Sequence, residues 1–183
     1  MRTSPDTFPY VLDETFYSMR ATEMAPALLG KLLCRRYLSP EGVETIFRHR
    51  ITETECYFGE SDTACHASHG KTARNRIMYE AGGVAYIYLC YGIHSLLNVV
   101  SGEKDFPEAV LIRGVEGYNG PGKLTRGMKI DGSLNGTSLL SADCLWIEDD
   151  GCVPAYQTAR RVGIDYASEP YKSIPWRYIL KND

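Results

Sequence analysis

Apolar and polar residues alternate through much of the middle of this chain, and the period changes at a few definite places. TEMAPALLG (22–30) spaces its apolar positions for a short helix and closes on Gly30, a residue suited to a left-handed cap. KLLCRRYL (31–38) reads as a strand, SPEGVE (39–44) as a turn, and TIFRHRITETECY (45–57) as a long strand. TARNRIMYEAGG (72–83) carries a threonine cap and a paired-glycine stop, which predicts a short helix or a tight turn. In GVAYIYLCYGIHSLLNVVSG (83–102) two β-rich arms meet at Tyr91-Gly92, the pattern of a hairpin with an aromatic at its tip. EAVLIRGVEG (108–117) is a further strand, PGKLTRGMKI (121–130) a helix, LWIE (145–148) a strand, and 154–163 a last helix or turn. Strands fill the middle and helices the margins. The expectation is an α+β fold: a curved, mainly antiparallel sheet with flanking helices and a protruding hairpin.

Length and composition narrow this picture. The 183 residues support one domain spanning 1–183, with residues 1–15 expected to be less ordered. No run of 18 apolar residues exists, so no membrane span is expected, and the polar N-terminus lacks the apolar stretch of a secretory signal. A cytoplasmic, reducing location follows (nucleoid-associated if bacterial), with the six cysteines as thiols. The net charge of −3 counts against nucleic acid as a partner, yet Lys71, Arg74 and Arg76 cluster, as do Lys123, Arg126 and Lys129. Such clusters are phosphate contacts or solvated faces.

Three constellations bear chemistry. Strand alternation places Glu53, Glu55 and Tyr57 on one face, with the two carboxylates roughly 7 Å apart at Cβ. They are an acid–base pair or exposed glutamates on a wet face. Cys56, Cys65, His66 and His69 are legitimate zinc ligands, but their spacing lacks the paired knuckle of a structural site, and no metal is expected. Tyr86 and Tyr88 share a face of the hairpin, as core packing or as a platform for a planar base, while Tyr91 at the tip suits a wedge between base steps. GYNGPGKL (117–124) nearly spells a nucleotide-phosphate loop, but Leu124 stands where a magnesium-binding hydroxyl belongs.

ALLGKLLCRRYL, ITETECYFGESDTACHASHG, TARNRIMY, VAYIYLCYGIHSLLNV, VLIRGVE, GPGKL and RRVGI occur in an order that resembles the alkyladenine (3-methyladenine) DNA glycosylase family over most of the chain. The resemblance implies an enzyme that flips a damaged purine from double-stranded DNA and hydrolyses its N-glycosidic bond. No metal or other cofactor is required, and nothing in the sequence demands more than a monomer. By that resemblance Glu55 is the general base; Arg113 and the main-chain carbonyl of Val162 help to hold the water. Tyr57 and Tyr88 sandwich the extruded base with His66 beside them, and Asn98 discriminates against the amino group of guanine. Tyr91 fills the vacated stack with Ile93 next to it, and Arg74, Arg76, Gly122 and Lys123 contact the DNA backbone. Glu53 takes a structural role. The chain departs from the family pattern in a short 114–119 segment and in Ala73, where a proline is common. Two other classes of function remain open at this level: a non-catalytic binder of distorted DNA, and a Cys/His metal-dependent hydrolase.

Overall fold

The computed structural model describes residues 9–181. Its strands are β1 (Tyr10–Val11), β2 (Leu32–Leu38), β3 (Glu44–Phe58), β4 (Ala85–Cys90), β5 (His94–Ser101), β6 (Glu108–Val115), β7 (Tyr118–Asn119), β8 (Leu145–Asp149), β9 (Tyr156–Ala159) and β10 (Arg177–Leu180). The helices are α1 (Glu14–Tyr17), α2 (Ala21–Ala27) and α3 (Pro121–Gly127), with short 3-10 turns at Arg76–Tyr79 and Gly132–Leu134. All strand pairings between named strands are antiparallel, and the path β1-β8-β2-β3-β6-β5-β4 forms one open sheet, in keeping with an α+β fold.

The 15-residue β3 organises the site. Its first half, Glu44–Arg50, pairs with β2, and its second half pairs with β6 on one side and β10 on the other. Glu55 therefore lies between Leu111 and Arg177, with its backbone bonded into a ladder on both edges. The β3–β6 register shifts between Ile51 and Thr54, a bulge that twists the strand just before its functional end. α2 covers this sheet with Ala21, Met24 and Ala25, all fully buried, and Thr54 Oγ1 donates to Ala25 O at 2.8 Å. Burial of this kind contributes about 25 cal/mol per Å² of apolar surface and holds a helix too short to persist alone.

The hairpin forms where the sequence places it. Tyr91 and Gly92 both take left-handed φ values, 51° and 71°, and Ile93 N–H donates to Cys90 O. Two left-handed residues match the strand twist of a tight antiparallel connection. Helix 22–30 is real but shorter, and Gly30 with φ 83° ends the turn that follows it. The 72–83 segment resolves to the 3-10 turn, and the 121–130 helix stops at Gly127. Segment 154–163 is a correction. It contains strand β9, paired with β10, not a helix or turn. As an exposed edge strand it has no apolar face to reveal it. Of the N-terminal segment expected to be less ordered, residues 1–8 lie outside the described residues, whereas Tyr10–Val11 pairs with β8 and Asp13 caps α1. No helix among the described residues is long and apolar enough to cross a membrane.

Candidate active site

Glu55 is completely buried, and two hydrogen-bond donors and one ion-pair partner converge on its carboxylate. Val162 N–H donates to Oε1 at 2.8 Å, Tyr57 Oη–H donates to Oε2 at 3.0 Å, and Arg113 Nε stands 3.5 Å from Oε1. Burial is the largest influence and raises its pKa above the ordinary carboxylate value; Glu53 pushes the same way, while Arg113, Val162 N–H and Tyr57 oppose the rise. An ionised carboxylate offers about four lone-pair sites, and the two protein hydrogen bonds leave some of that acceptor capacity unused.

Glu53 lies on the same face, as alternation requires, but it is not on a wet surface. It is 8% exposed, and its Oε1 accepts from Arg113 Nε at 3.1 Å and Arg177 Nε at 2.6 Å. The reading of exposed glutamates is thereby overturned: long-range partners bring cations to both carboxylates.

Beyond this charged layer lies a cleft of about 790 Å³, lined by Tyr57, Tyr88, His66, Asn98, Arg113 and Val162 among others. Tyr57, Arg113 and Val162 form the wall directly in front of Glu55. His66 stands edge-on to Tyr88, ring centroids 4.4 Å apart, and its Nδ1 shares a 3.0 Å hydrogen bond with Tyr86 Oη. Burial, then Arg74, lowers the His66 pKa, which favours the neutral imidazole. Asn98 Nδ2 is spent on the carbonyls of Tyr86 and Leu96, leaving the side-chain carbonyl as its remaining polar group. Residues 59–75 return His66 to this wall because Asn75, quoted within TARNRIMY but given no role there, braces the loop. Its Nδ2 donates to the carbonyls of His66 and Gly70, and its Oδ1 accepts from Thr72 N–H.

The mouth is basic and apolar. Tyr91 is 91% exposed and Ile93 71%, both at the hairpin tip, and Tyr91 lines the cleft. Arg74, Gly122 and Lys123 line it too, with Arg74 lying 5.7 Å over the Tyr88 ring. Gly122 has a steric reason: a Cβ there would sit 3.0 Å from the His94 ring. Arg76 is exposed but does not line the cleft. Arg126 does, one turn of α3 beyond Lys123. Arg74, Lys123 and Arg126 have no carboxylate partner among the described residues, and no Asp or Glu lines the cleft.

The Cys/His cluster does not assemble. Cys56 packs in the main core, Cys65 in a second cluster, His66 binds Tyr86 and His69 binds Ser68. Among the described residues no three His, Cys, Asp or Glu side chains converge as metal ligands.

The cleft thus combines an aromatic slot, a buried carboxylate behind it and a rim of cations without carboxylate partners among the described residues. Comparison with known proteins gives the family: the methylpurine-DNA glycosylase model matches residues 15–183, and the chain belongs to that family of DNA glycosylases, hydrolases of N-glycosyl bonds. Its relatives include proteins named "Putative 3-methyladenine DNA glycosylase" from three organisms. The one from Psychrobacter cryohalolentis is 43% identical, over 92% of this chain and 91% of its own. That from Methanocella arvoryzae is 41% identical (94% and 93%), and that from Natranaerobius thermophilus 38% (94% and 96%).

Proposed function

We propose that the protein removes alkylated purines, 3-methyladenine foremost, from duplex DNA. The observation that carries this reading is the Glu55 carboxylate held by Arg113, Tyr57 and Val162 directly behind a cleft lined by Tyr57, Tyr88 and His66. The damaged nucleotide swings out of the duplex, Tyr91 fills the gap, and the base enters between Tyr57 and Tyr88. Flipping costs a few kcal/mol, less for a damaged pair, so the lesion supplies part of the selection. Cation–π attraction of about 0.5–2 kcal/mol adds preference for a positively charged alkylpurine.

Ionised Glu55 then takes a proton from a water also held by Arg113 and the Val162 carbonyl, and the water oxygen bonds to C1′. The C1′–N bond breaks and its electron pair leaves with the base, so a cationic purine departs neutral and needs no protonation. The carboxylate also offsets positive charge developing on the sugar. Hypoxanthine and ethenoadenine are further candidates of the same shape. The protein works as a monomer with no cofactor.

The test is a panel of duplexes, each carrying one lesion, scored for alkali-labile strand breaks. Breaks at 3-methyladenine are expected. Tight binding with no release from any lesion would favour a non-catalytic binder of distorted DNA.

Three unpaired cations at the mouth explain how a chain of net charge −3 meets a polyanion. Every cation that neutralises a phosphate adds about 0.9 to the steepness with which binding weakens as salt rises. Arg126→Ala is expected to flatten that slope by about the same amount, with base release at saturating DNA unchanged. Binding measured across a salt series checks it, and an unaltered slope would remove Arg126 from the interface.

A further inference from the structure

Arg161 has no exposed side-chain surface, and its guanidinium joins the elements that surround Glu55. Nη1 donates to Asp62 Oδ2 at 2.6 Å and to Cys56 O at 2.9 Å; Nη2 donates to Asp62 Oδ1 at 2.9 Å and to Tyr171 O at 3.1 Å. The same group lies 4.8 Å from the Tyr57 ring centroid and 5.3 Å from that of Trp176. Cys56, Asp62 and Tyr57 tie this guanidinium to the site. Cys56 separates Glu55 from Tyr57. Asp62 accepts from the N–H groups of Phe58 and Ala64, fixing the start of the loop that carries His66. The residue after Arg161 is Val162, whose N–H holds Glu55.

Stability is a poor reason for this arrangement. Taking an ion pair fully out of water costs several kcal/mol per ion, and well-packed apolar replacements commonly do as well or better. What an apolar residue cannot do is fork. A planar guanidinium with five fixed donors sets two backbone carbonyls and a carboxylate in one plane, while its face supports an aromatic ring.

We propose that Arg161 is a positioning residue. It sets the ring of Tyr57 and the N–H of Val162 against the Glu55 carboxylate before substrate arrives. The inference rests on the glycosylase reading above. Misplacement by about 1 Å costs on the order of 100-fold in rate, so a loosened Val162 matters. The groups facing Glu55 are Arg113 from β6, Glu53 and Tyr57 on β3, Tyr88 from β4 and the Val162 N–H, with Arg177 of β10 opposite it in register and turned to Glu53. Of these, Arg161 touches the Tyr57 ring and precedes the Val162 N–H in the chain, and both groups lower the Glu55 pKa.

The experiment is single-turnover base release by Arg161→Lys across pH, with DNA affinity measured beside it. Lysine keeps the charge and loses the fork and the flat face. The expected result is a rate at least tenfold lower, affinity within about twofold of the parent, and an acidic limb displaced to higher pH because Glu55 loses a donor. A folded variant with the parent limb and rate, or with a loss seen only in affinity, overturns the proposal. If Arg161→Lys fails to fold, Asp62→Asn withdraws the charge that orients the fork and is read by the same three measurements. If the parent protein releases no base, the glycosylase reading and this inference fall together; an active parent with unaltered variants defeats the inference alone.

Discussion

Glu55→Gln is expected to bind damaged duplex and release no base. Glutamine keeps the shape and can still accept from Val162 N–H, but it cannot take a proton from water. General-base catalysis contributes about 10²–10⁴-fold, and here the same side chain also offsets charge on the sugar, so the loss falls at the upper end of that range. The folded protein is expected to be as stable or more so. Burial raises the Glu55 pKa above its unfolded value, so this group's contribution to stability is complete below the unfolded pKa and is lost as pH rises through the folded one. At neutral pH the parent therefore holds a charge at a cost to folding, which glutamine removes. The parent's activity runs the opposite way, falling as pH drops through the raised pKa. Base release with a gel-shift control, and a thermal melt, check both halves. Release at the parent rate would show Glu55 to be misassigned.

Glu53→Gln is expected to give the reverse result: a less stable protein that still works. Glu53 accepts from two arginines at once, at 3.1 and 2.6 Å, and neutralising it leaves Arg113 with Glu55 alone and Arg177 with no carboxylate among the described residues. Breaking a buried pair costs about 3–5 kcal/mol, and Arg177 retains 27% exposure, so about 2–3 kcal/mol is the expected loss. At about 2–4 °C per kcal/mol for a chain of this size, Tm falls by about 4–12 °C. Removing the Glu53 charge also relieves one influence that raises the Glu55 pKa, so the acidic limb moves to lower pH. Rate near neutral pH stays within about tenfold of the parent, because Arg113 can turn fully to Glu55. A collapse in rate comparable to Glu55→Gln, with the fold intact, would give Glu53 a part in the chemistry.

These two glutamates show how far local pattern carries. Alternation puts Glu53, Glu55 and Tyr57 on one face, and the Tyr57–Glu55 hydrogen bond has that geometry. Nothing local says that the face is buried, because burial there comes from Arg113, Val162 and Arg177, at least 58 positions away along the chain. The hairpin is legible because Tyr91-Gly92 states its turn in two residues. Strands β1, β7 and β10 are not, since two to four residues are too few for a period to emerge. The 154–163 segment misleads for a related reason. β9 is an exposed edge whose pairing with β10 is the whole of its structure. Charge alone groups Arg126 with Lys123, but only helix α3 turns both toward the cleft.

By itself the sequence determined the antiparallel β-rich class, the hairpin with its aromatic tip, and the identity of the side chains that wall the cleft. These follow from short-range periodicity, turn chemistry and ordered motifs. Only the tertiary structure decided that Glu55 is wholly desolvated, that Glu53 balances two arginines, and that Arg161 locks Asp62, Cys56 and Tyr57 together. Electrostatic environment is set by what approaches through space. A carboxylate's neighbours across a sheet leave no periodic trace beside it in the chain.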